Sequence, residues 1–334
     1  MKTETPSNRR FTIKAICLGV ILIATLAAIE AGLRVFFLRL NSFPYIAHMF
    51  RDDPITGFAL TPNMRIHAVG DGNDFTLDTN SMGLRGKEPL PRAPDECRIL
   101  VMGDSYTYGI GVDADETYSV RLETRLRDEL QRPVRVFNAG GPGFGTVQEL
   151  AFYRTKGPLF DADAVLLGFF QNDPEDNLRV FKYADGFLFE NPSRIVSLGG
   201  HPSFLYEFIV KGVLGWRPLE PGDQAAKTRE VLLELKALAA NRGQPFLVAC
   251  IPDREDTRFA VHEKPHGSGA CPDVPELRML DLLSAFATAT TTPFLPDHHI
   301  NKVGHRIVGD ALVPWAVEVC RAHAAATAAT PRAP

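Results

Sequence analysis

The chain has 334 residues, of which 45% are hydrophobic, enough for one large domain or two small ones. Its formal net charge of −4 provides no basic excess, which argues against a nucleic-acid-binding protein. The five cysteines include no Cys-x-x-Cys pair, so the sequence predicts no zinc site. Cys250 and Cys271 could pair if they lie outside the cytoplasm, a question that the sequence alone leaves open.

The amino-terminal region contains one long apolar stretch. Residues 1–14 are polar and partly basic and are predicted to be a cytoplasmic tail. Residues 15–40 are predicted to be an uncleaved single-pass anchor in the cytoplasmic membrane, because an apolar run of about this length spans a bilayer as a helix. A cleaved signal peptide is the alternative, but no small-residue cleavage site is followed by a polar break. The positive-inside rule then predicts the remaining chain on the periplasmic or extracellular side.

The next segment has the composition of a linker. Residues 41–94 are rich in Pro, Gly, Asn and Asp and are predicted to form a linker and an irregular lead-in, with short extended pieces such as 74–78. Within this segment, residues 80–85 read Asn-Ser-Met-Gly-Leu-Arg. A surface turn is the simplest interpretation of that sequence.

From residue 95 to residue 322 the chain alternates between strand-like and helix-like segments. Strands are predicted at 98–102, 134–138, 164–169 and 245–251. Helices are predicted at 118–130, 146–153, 224–241, 275–289 and 302–322. Such alternation is typical of an α/β domain, in which a parallel sheet carries helices on both faces.

Two segments depart from this alternation. Residues 174–222 carry many aromatic residues among Gly and Pro, and they are too long for an ordinary connection. We predict an insertion over the carboxyl edge of the sheet that acts as a lid or substrate wall, and a packed loop without a role is an equal alternative. Residues 323–334 consist mostly of Ala, Thr and Pro and are predicted to be a disordered tail.

The first predicted strand leads directly into Gly103, Asp104 and Ser105. Glycine permits a sharp turn at the strand end. A hydroxyl at this position would lie at the carboxyl edge of the sheet, where open α/β sheets bind ligands. Ser105 is therefore a candidate nucleophile, although Gly, Asp and Ser also favour simple turns.

Three later stretches could supply the partners that a serine nucleophile needs. A serine requires a base to take its proton, the base requires a carboxylate, and the tetrahedral oxyanion requires preorganised donors. The sequence predicts Ser105 as the nucleophile, His299 as the base and Asp297 as the carboxylate. The N–H groups of Ser105 and Gly143 and the side-chain amide of Asn172 are predicted to form the oxyanion hole.

These four blocks, in this order, resemble those of the SGNH (GDSL-type) hydrolase superfamily over about residues 97–320. The resemblance implies a flavodoxin-like three-layer α/β/α sandwich, a serine nucleophile and an oxyanion hole completed by the glycine and the asparagine. Residues 80–85 also look like a lead-in found in membrane-anchored members of that superfamily.

The sequence departs from the family pattern at two points. The acid, Asp297, precedes His299 by two residues, whereas the family pattern has it three residues before, at the position of Pro296. The shorter spacing is similar to that of the alginate-type O-acetyltransferase branch. His298 is the alternative base, but side-chain alternation in an extended segment would direct it elsewhere. His305 is interpreted as a helix-start residue. Phe170 replaces a glycine that is common in the family and is expected to narrow the acyl pocket.

Together these features predict a membrane-anchored serine esterase that hydrolyses acetyl or other short-chain acyl esters, with a cell-envelope glycan or lipid as substrate. The alternatives are an O-acyltransferase that acts on envelope glycans and a non-catalytic glycan-binding envelope module. The predicted chemistry needs neither cofactor nor metal, and the scattered histidines do not suggest a metal cluster. Asp104 and Asp173 are interpreted as caps of the turns next to them.

Overall fold

A computed structural model describes the chain, beginning with one long helix. The described residues are 6–40, 49–70, 73–178, 181–184, 187–190, 197–198, 201–203, 205, 209, 221–254, 257 and 271–329. Helix α1 spans Pro6–Leu40, and its segment Phe11–Leu33 is long and apolar enough to cross a membrane. None of that apolar stretch is buried against the rest of the protein. These properties agree with the predicted anchor, and a signal sequence shares them.

The predicted linker contains two antiparallel hairpins, so much of it is regular. The paired strands are Phe50–Asp53 with Gly57–Leu60 and Arg65–Gly70 with Asn73–Asp78. Phe58, Phe75 and Leu77 are buried and cluster with Tyr108 and Phe144 of the following domain. The sequence predicted a mostly irregular lead-in. Turn-forming residues dominate its composition, and the alternation of apolar residues in these short strands is too brief to stand out among them.

The central sheet has five parallel strands, numbered here in chain order. They are β1 (Cys97–Gly103), β2 (Val134–Gly140), β3 (Ala164–Phe169), β4 (Phe246–Cys250) and β5 (Met279–Asp281). Hydrogen bonding gives the spatial order β2-β1-β3-β4-β5. This 2-1-3-4-5 order is that of flavodoxin-like folds, so the predicted fold class is confirmed.

Helices cover both faces of this sheet. They are α2 (Ser105–Tyr108), α3 (Tyr118–Leu130), α4 (Thr146–Thr155), α5 (Asp173–Asp176), α6 (Pro221–Asn241), α7 (Leu283–Ala287) and α8 (Lys302–Ala329). Ile99 and Val101 of β1 pack in one core with α3, α7 and α8, while Leu100 and Met102 pack in the other with α4 and α6. Alternate residues of a strand point to opposite faces, so the strand contributes to both cores and the domain has three layers.

Two predictions near the carboxyl end were wrong. The predicted helix at 275–289 contains β5 followed by the short helix α7. Pairing of Val248–Cys250 with Met279–Asp281 fixes this edge strand, and three residues are too few to show a period in the sequence. The tail predicted to be disordered from residue 323 continues α8 as far as Ala329. Alanine is the strongest helix former, which explains the extension.

Two disulfides join distant parts of the domain. Cys250 pairs with Cys271, the pairing that the sequence left open. Cys97 at the start of β1 pairs with Cys320 in α8, a link across 223 residues that sequence inspection did not suggest. The second disulfide therefore ties the first strand of the sheet to the last helix.

The predicted insertion contains further short strands among its described residues. One antiparallel pair joins Phe181–Ala184 to Phe187–Glu190, and another joins Ser197–Leu198 to His201–Pro202. Most of the segment that was predicted to act as a lid, including residues 210–220, lies outside the described residues. Its role as a lid or substrate wall stays a prediction.

Candidate active site

The turn after β1 is shaped by Gly103 and Asp104. Gly103 has a positive φ of 152°, and a Cβ atom there would lie 2.7 Å from the Gly168 carbonyl oxygen. Only glycine fits such close backbone approach without displacement. Asp104 caps α2, because its Oδ1 accepts a hydrogen bond of 2.9 Å from the Tyr106 N–H. Ser105 is thereby held as the first residue of α2, and the predicted capping role of Asp104 agrees with this geometry.

The structure brings Ser105, His299 and Asp297 into one chain of contacts. His299 Nε2 lies 2.9 Å from Ser105 Oγ. His299 Nδ1 lies 2.9 Å from Asp297 Oδ2, and Asp297 Oδ1 accepts the His299 backbone N–H at 3.1 Å. Such contacts let a histidine take a proton from a hydroxyl while the carboxylate fixes its tautomer. The contact with Ser105 is made by His299 and not by His298. The extended segment assumed in the alternation argument is absent, because His298 has a left-handed backbone.

A three-residue turn between α7 and α8 presents these groups. The Leu295 N–H donates to the His299 carbonyl oxygen at 2.7 Å, and Phe294 forms an antiparallel bridge with Ile300. Asn301 comes next and accepts the Val303 N–H at 2.8 Å, which caps the start of α8. The short acid–histidine spacing is thus accommodated by a tight turn anchored on both sides.

Partial burial and pairing set the protonation of Asp297. Its side chain is about a quarter exposed and lies against the His299 imidazole. Burial favours the neutral carboxyl, but the hydrogen bonds and charge of His299 outweigh it, so the pKa of Asp297 lies below its ordinary value. Asp297 is therefore ionised at neutral pH, as the partner of an imidazolium must be.

The predicted oxyanion donors occupy the ends of three neighbouring strands. Ser105 follows β1, Gly143 follows β2 and Asn172 follows β3, and β1 lies between the other two. Gly143 has a positive φ of 81°, which favours glycine. Asn172 Nδ2 donates to Asp176 Oδ2 at 2.9 Å, which occupies one of its two amide hydrogens. The other amide hydrogen is the group that the predicted oxyanion hole requires.

An aromatic stack supports the histidine loop. The Phe170 and Tyr106 rings stack with centroids 3.7 Å apart, and the Tyr106 centroid lies 4.9 Å from that of His299. The Tyr106 O–H donates to the His298 carbonyl oxygen at 3.1 Å. Phe170 thus packs against Tyr106. Tyr106 in turn connects the serine turn to the histidine turn. Sequence inspection missed Tyr106, because its partner lies 192 residues away.

Below the serine turn lies a group of buried acids that the sequence did not reveal as a cluster. Asp104, Glu149 and Asp173 are almost completely buried. Both carboxyl oxygens of Glu149 lack a hydrogen-bond partner among the described residues. Burial, followed by the charges of Asp104 and Asp176, raises the pKa of Glu149 well above its ordinary value. The pKa of Asp104 rises to about 6, chiefly through burial, which the Tyr106 N–H and His299 partly offset.

Asp173 and His305, for which the sequence favoured structural roles, have such roles in the fold. Asp173 caps the turn after β3, because its Oδ2 accepts the Phe170 N–H at 3.1 Å. His305 lies in the first turn of α8 and is fully buried, with Nδ1 accepting the Tyr118 N–H at 3.2 Å. Burial, reinforced by the charges of Arg85 and His299, lowers the pKa of His305 to about 3. A buried imidazole with so low a pKa is too weak a base to take a proton from a serine hydroxyl.

The segment at residues 80–85 links the amino-terminal hairpins to the serine helix. Asn80 Oδ1 accepts the Met82 and Leu84 N–H groups at 2.9 and 3.1 Å. Buried Arg85 donates to the Val112 carbonyl oxygen at 2.7 Å and lies over the Tyr108 ring. The segment is a turn, as in the simplest interpretation, but Asn80, Leu84 and Arg85 are buried, so it is more than a surface feature. Among the described residues, no group of three or more His, Cys, Asp or Glu is arranged to hold a metal ion.

Comparison with known proteins gave matches among solved structures only. No family model and no curated protein matched the chain. LAE5, an alpha/beta hydrolase from the metagenome of Lake Arreo, Spain, matches with 15% identity and a TM-score of 0.43, over 67% of this chain and 96% of that one. A putative lipolytic protein of the G-D-S-L family from Desulfitobacterium hafniense matches with 10% identity and a TM-score of 0.40, over 65% and 98%.

A third match is the acetyl xylan esterase AlAXEase, with 13% identity and a TM-score of 0.42, over 65% of this chain and 98% of that one. These matches include members of the family that the four sequence blocks resemble. Similarity this distant assigns no substrate, so the functional interpretation of the chain depends on its own strand order and side-chain contacts.

Proposed function

We propose that the protein is a serine esterase in which Ser105, His299 and Asp297 form the catalytic triad. The observation that carries the proposal is the continuous contact from Ser105 Oγ through both ring nitrogens of His299 to Asp297, with 2.9 Å at each step. His299 Nε2 takes the proton as Oγ attacks the ester carbonyl carbon. Asp297 stabilises the imidazolium that forms.

The intermediate then collapses to an acyl-enzyme. The bond between the carbonyl carbon and the alkoxy oxygen breaks, and the imidazolium of His299 returns its proton to the departing alcohol. A water molecule, deprotonated by the same imidazole, attacks the acyl carbon and releases the acid and the free Ser105 hydroxyl. The N–H groups of Ser105 and Gly143 and the amide of Asn172 bind the oxyanion in both steps.

The surroundings of the triad support a short acyl group. The Tyr106 ring lies beside His299 and stacks on the Phe170 ring, which fills volume that a glycine at position 170 would leave open. A narrow pocket favours acetyl over longer chains, because an extra methylene that does not fit costs about 1–3 kcal/mol of binding. Acetyl and other short acyl esters are therefore the proposed substrates.

The proposed location is the outer side of the cytoplasmic membrane, with α1 as the anchor. The apolar segment Phe11–Leu33 supports membrane attachment. The Cys97–Cys320 and Cys250–Cys271 pairs support an extracytoplasmic domain, because disulfides persist in oxidising compartments and are rare in the cytosol.

The test is the hydrolysis of p-nitrophenyl acetate and butyrate by the detergent-solubilised full chain. We expect turnover that is faster with acetate, and we expect Ser105→Ala to abolish it. Ser284→Ala, which alters an exposed serine on α7, is the matched control and should leave the rate unchanged. Equal rates for the protein and Ser105→Ala would contradict the proposal. A single burst of p-nitrophenol without turnover would indicate an acyltransferase with the same nucleophile instead.

A further inference from the structure

His298, the neighbour of the proposed base, has an unusual backbone conformation. Its φ is +75°, in the left-handed region that few residues other than Gly adopt, although Asn, Asp and His do so more often than the rest. It is the last residue of the three-residue turn between Leu295 and His299, the position at which such turns favour glycine. Glycine would adopt this conformation more easily, so the histidine at this place points to a use for its imidazole.

The imidazole of His298 contacts a second carboxylate. His298 Nδ1 lies 3.2 Å from Asp253 Oδ1. Asp253 follows β4 at the carboxyl edge of the sheet, the same edge at which Ser105 follows β1 and Asn172 follows β3. The Asp253 side chain is 12% exposed, whereas that of His298 is 45% exposed. The pair thus consists of a buried carboxylate that holds an accessible imidazole next to the triad.

This pairing determines what the exposed edge of the ring offers. When Nδ1 donates its proton to Asp253, Nε2 of the neutral ring carries the lone pair and accepts hydrogen bonds. Nε2 makes no hydrogen bond with any residue that the structure describes. The His298 backbone is also fixed, because its carbonyl oxygen accepts the Tyr106 O–H at 3.1 Å. The result is an accessible hydrogen-bond acceptor, oriented by Asp253, on the residue that precedes the proposed base.

We propose that His298, oriented by Asp253, binds a free hydroxyl on the alcohol part of the ester, so that the preferred substrates are esters of polyhydroxy alcohols. This inference rests on the proposed esterase function and deepens it by naming the chemistry of the leaving group. Sugar esters and glycerol esters share that chemistry.

The test compares the full-length protein with His298→Asn on three acetyl esters. Asparagine suits the left-handed conformation, so this variant removes the imidazole while keeping the turn. The esters are p-nitrophenyl acetate, which has no hydroxyl in its leaving group, glyceryl monoacetate and 6-O-acetylglucose. We expect kcat/KM for the hydroxyl-bearing esters to fall about tenfold more than kcat/KM for p-nitrophenyl acetate, the effect of one well-placed hydrogen bond. Selectivity between the two hydroxyl esters would then distinguish a lipid-type from a glycan-type alcohol.

The matched control is His67→Asn. His67 forms an exposed pair with Asp74 in an amino-terminal hairpin, with Nε2 3.3 Å from Oδ1, and its replacement should alter no ratio between the esters. An equal loss on all three esters in His298→Asn would overturn the inference, since it would mean that His298 only positions His299. Unchanged kcat/KM for all three esters would overturn it as well. In both cases, loss of activity in Ser105→Ala would still support the proposed esterase function. Full activity of Ser105→Ala would contradict both proposals.

Discussion

Two carboxylates near the serine turn, Asp297 and Glu149, differ in their surroundings and therefore in their charge. Asp297 is partly exposed and lies 2.9 Å from His299, which keeps its pKa below the ordinary value. Glu149 is buried in α4 without a hydrogen-bond partner among the described residues, and burial raises its pKa. The carboxylate that pairs with the histidine is thus partly exposed, while burial of Glu149 favours its neutral form. Burial and pairing, and not residue type, decide which role a carboxyl can serve.

The strongest test of this contrast is Asp297→Asn. We expect kcat to fall by about 10⁴-fold, because an amide in place of the carboxylate favours the wrong imidazole tautomer and leaves the imidazolium unstabilised. Steady-state hydrolysis of p-nitrophenyl acetate measures the effect. Asp281→Asn, which alters an exposed acid at the end of β5, serves as the control. A loss of less than about tenfold would mean that another group orients His299.

Asn172 lies between the two environments. Its side-chain amide donates a hydrogen bond to the buried carboxylate of Asp176, and the same amide is proposed to bind the oxyanion. We expect Asn172→Ala to lower kcat by about 10²- to 10³-fold with little change in KM, as for the loss of one oxyanion donor. Asn241→Ala, at the exposed end of α6, should have no effect. An increase in KM at constant kcat would instead assign Asn172 to substrate binding.

The smallest expected effect concerns stability and is measured by replacing Glu149 with Gln. A carboxyl whose pKa is raised on folding binds its proton more tightly in the folded state, so stability falls as pH rises above the unfolded-state pKa. Glu149→Gln removes this dependence. The difference in free energy of unfolding, variant minus parent, should therefore increase from pH 5 to pH 8. The increase is about 1.4 kcal/mol for each pH unit that lies between the unfolded-state and folded-state pKa values of Glu149.

Denaturant unfolding at a series of pH values measures this change. The control is Glu230→Gln, an exposed acid on α6, whose curve should match that of the parent. Parallel curves for Glu149→Gln and the parent would show that Glu149 is ionised in the folded protein. Its burial would then require a cation or water that offsets the charge.

The sequence was sufficient to predict the elements that show a periodic apolar pattern and the site residues that follow the ends of strands. The apolar runs of β1 to β4 predicted the sheet, and the rule that ligands bind at carboxyl strand ends led to Ser105, Gly143 and Asn172. The antiparallel turn around Asp297 and His299 agrees with the predicted pairing of these residues. Their catalytic roles stay predictions until activity is measured.

Other features depend on contacts that no local pattern records. Strand β5 has three residues, and only its pairing with β4 defines it. Tyr106 and Asp253 act through residues 192 and 45 positions away, so their neighbours result from the fold and not from spacing. The left-handed conformation of His298 was equally hidden, since an extended segment was assumed there. Such long-range contacts are the part of a site that requires three-dimensional structure.

The disulfide between Cys97 and Cys320 has a consequence for the resistance of the protein to proteolysis. It converts the catalytic domain into a covalent ring that begins at the first strand and closes in the last helix. A protease that cuts one peptide bond anywhere between these cysteines opens the ring but releases no fragment. Both pieces stay attached to each other and, through residue 97, to helix α1, so a single cut separates no part of the domain from the amino-terminal helix.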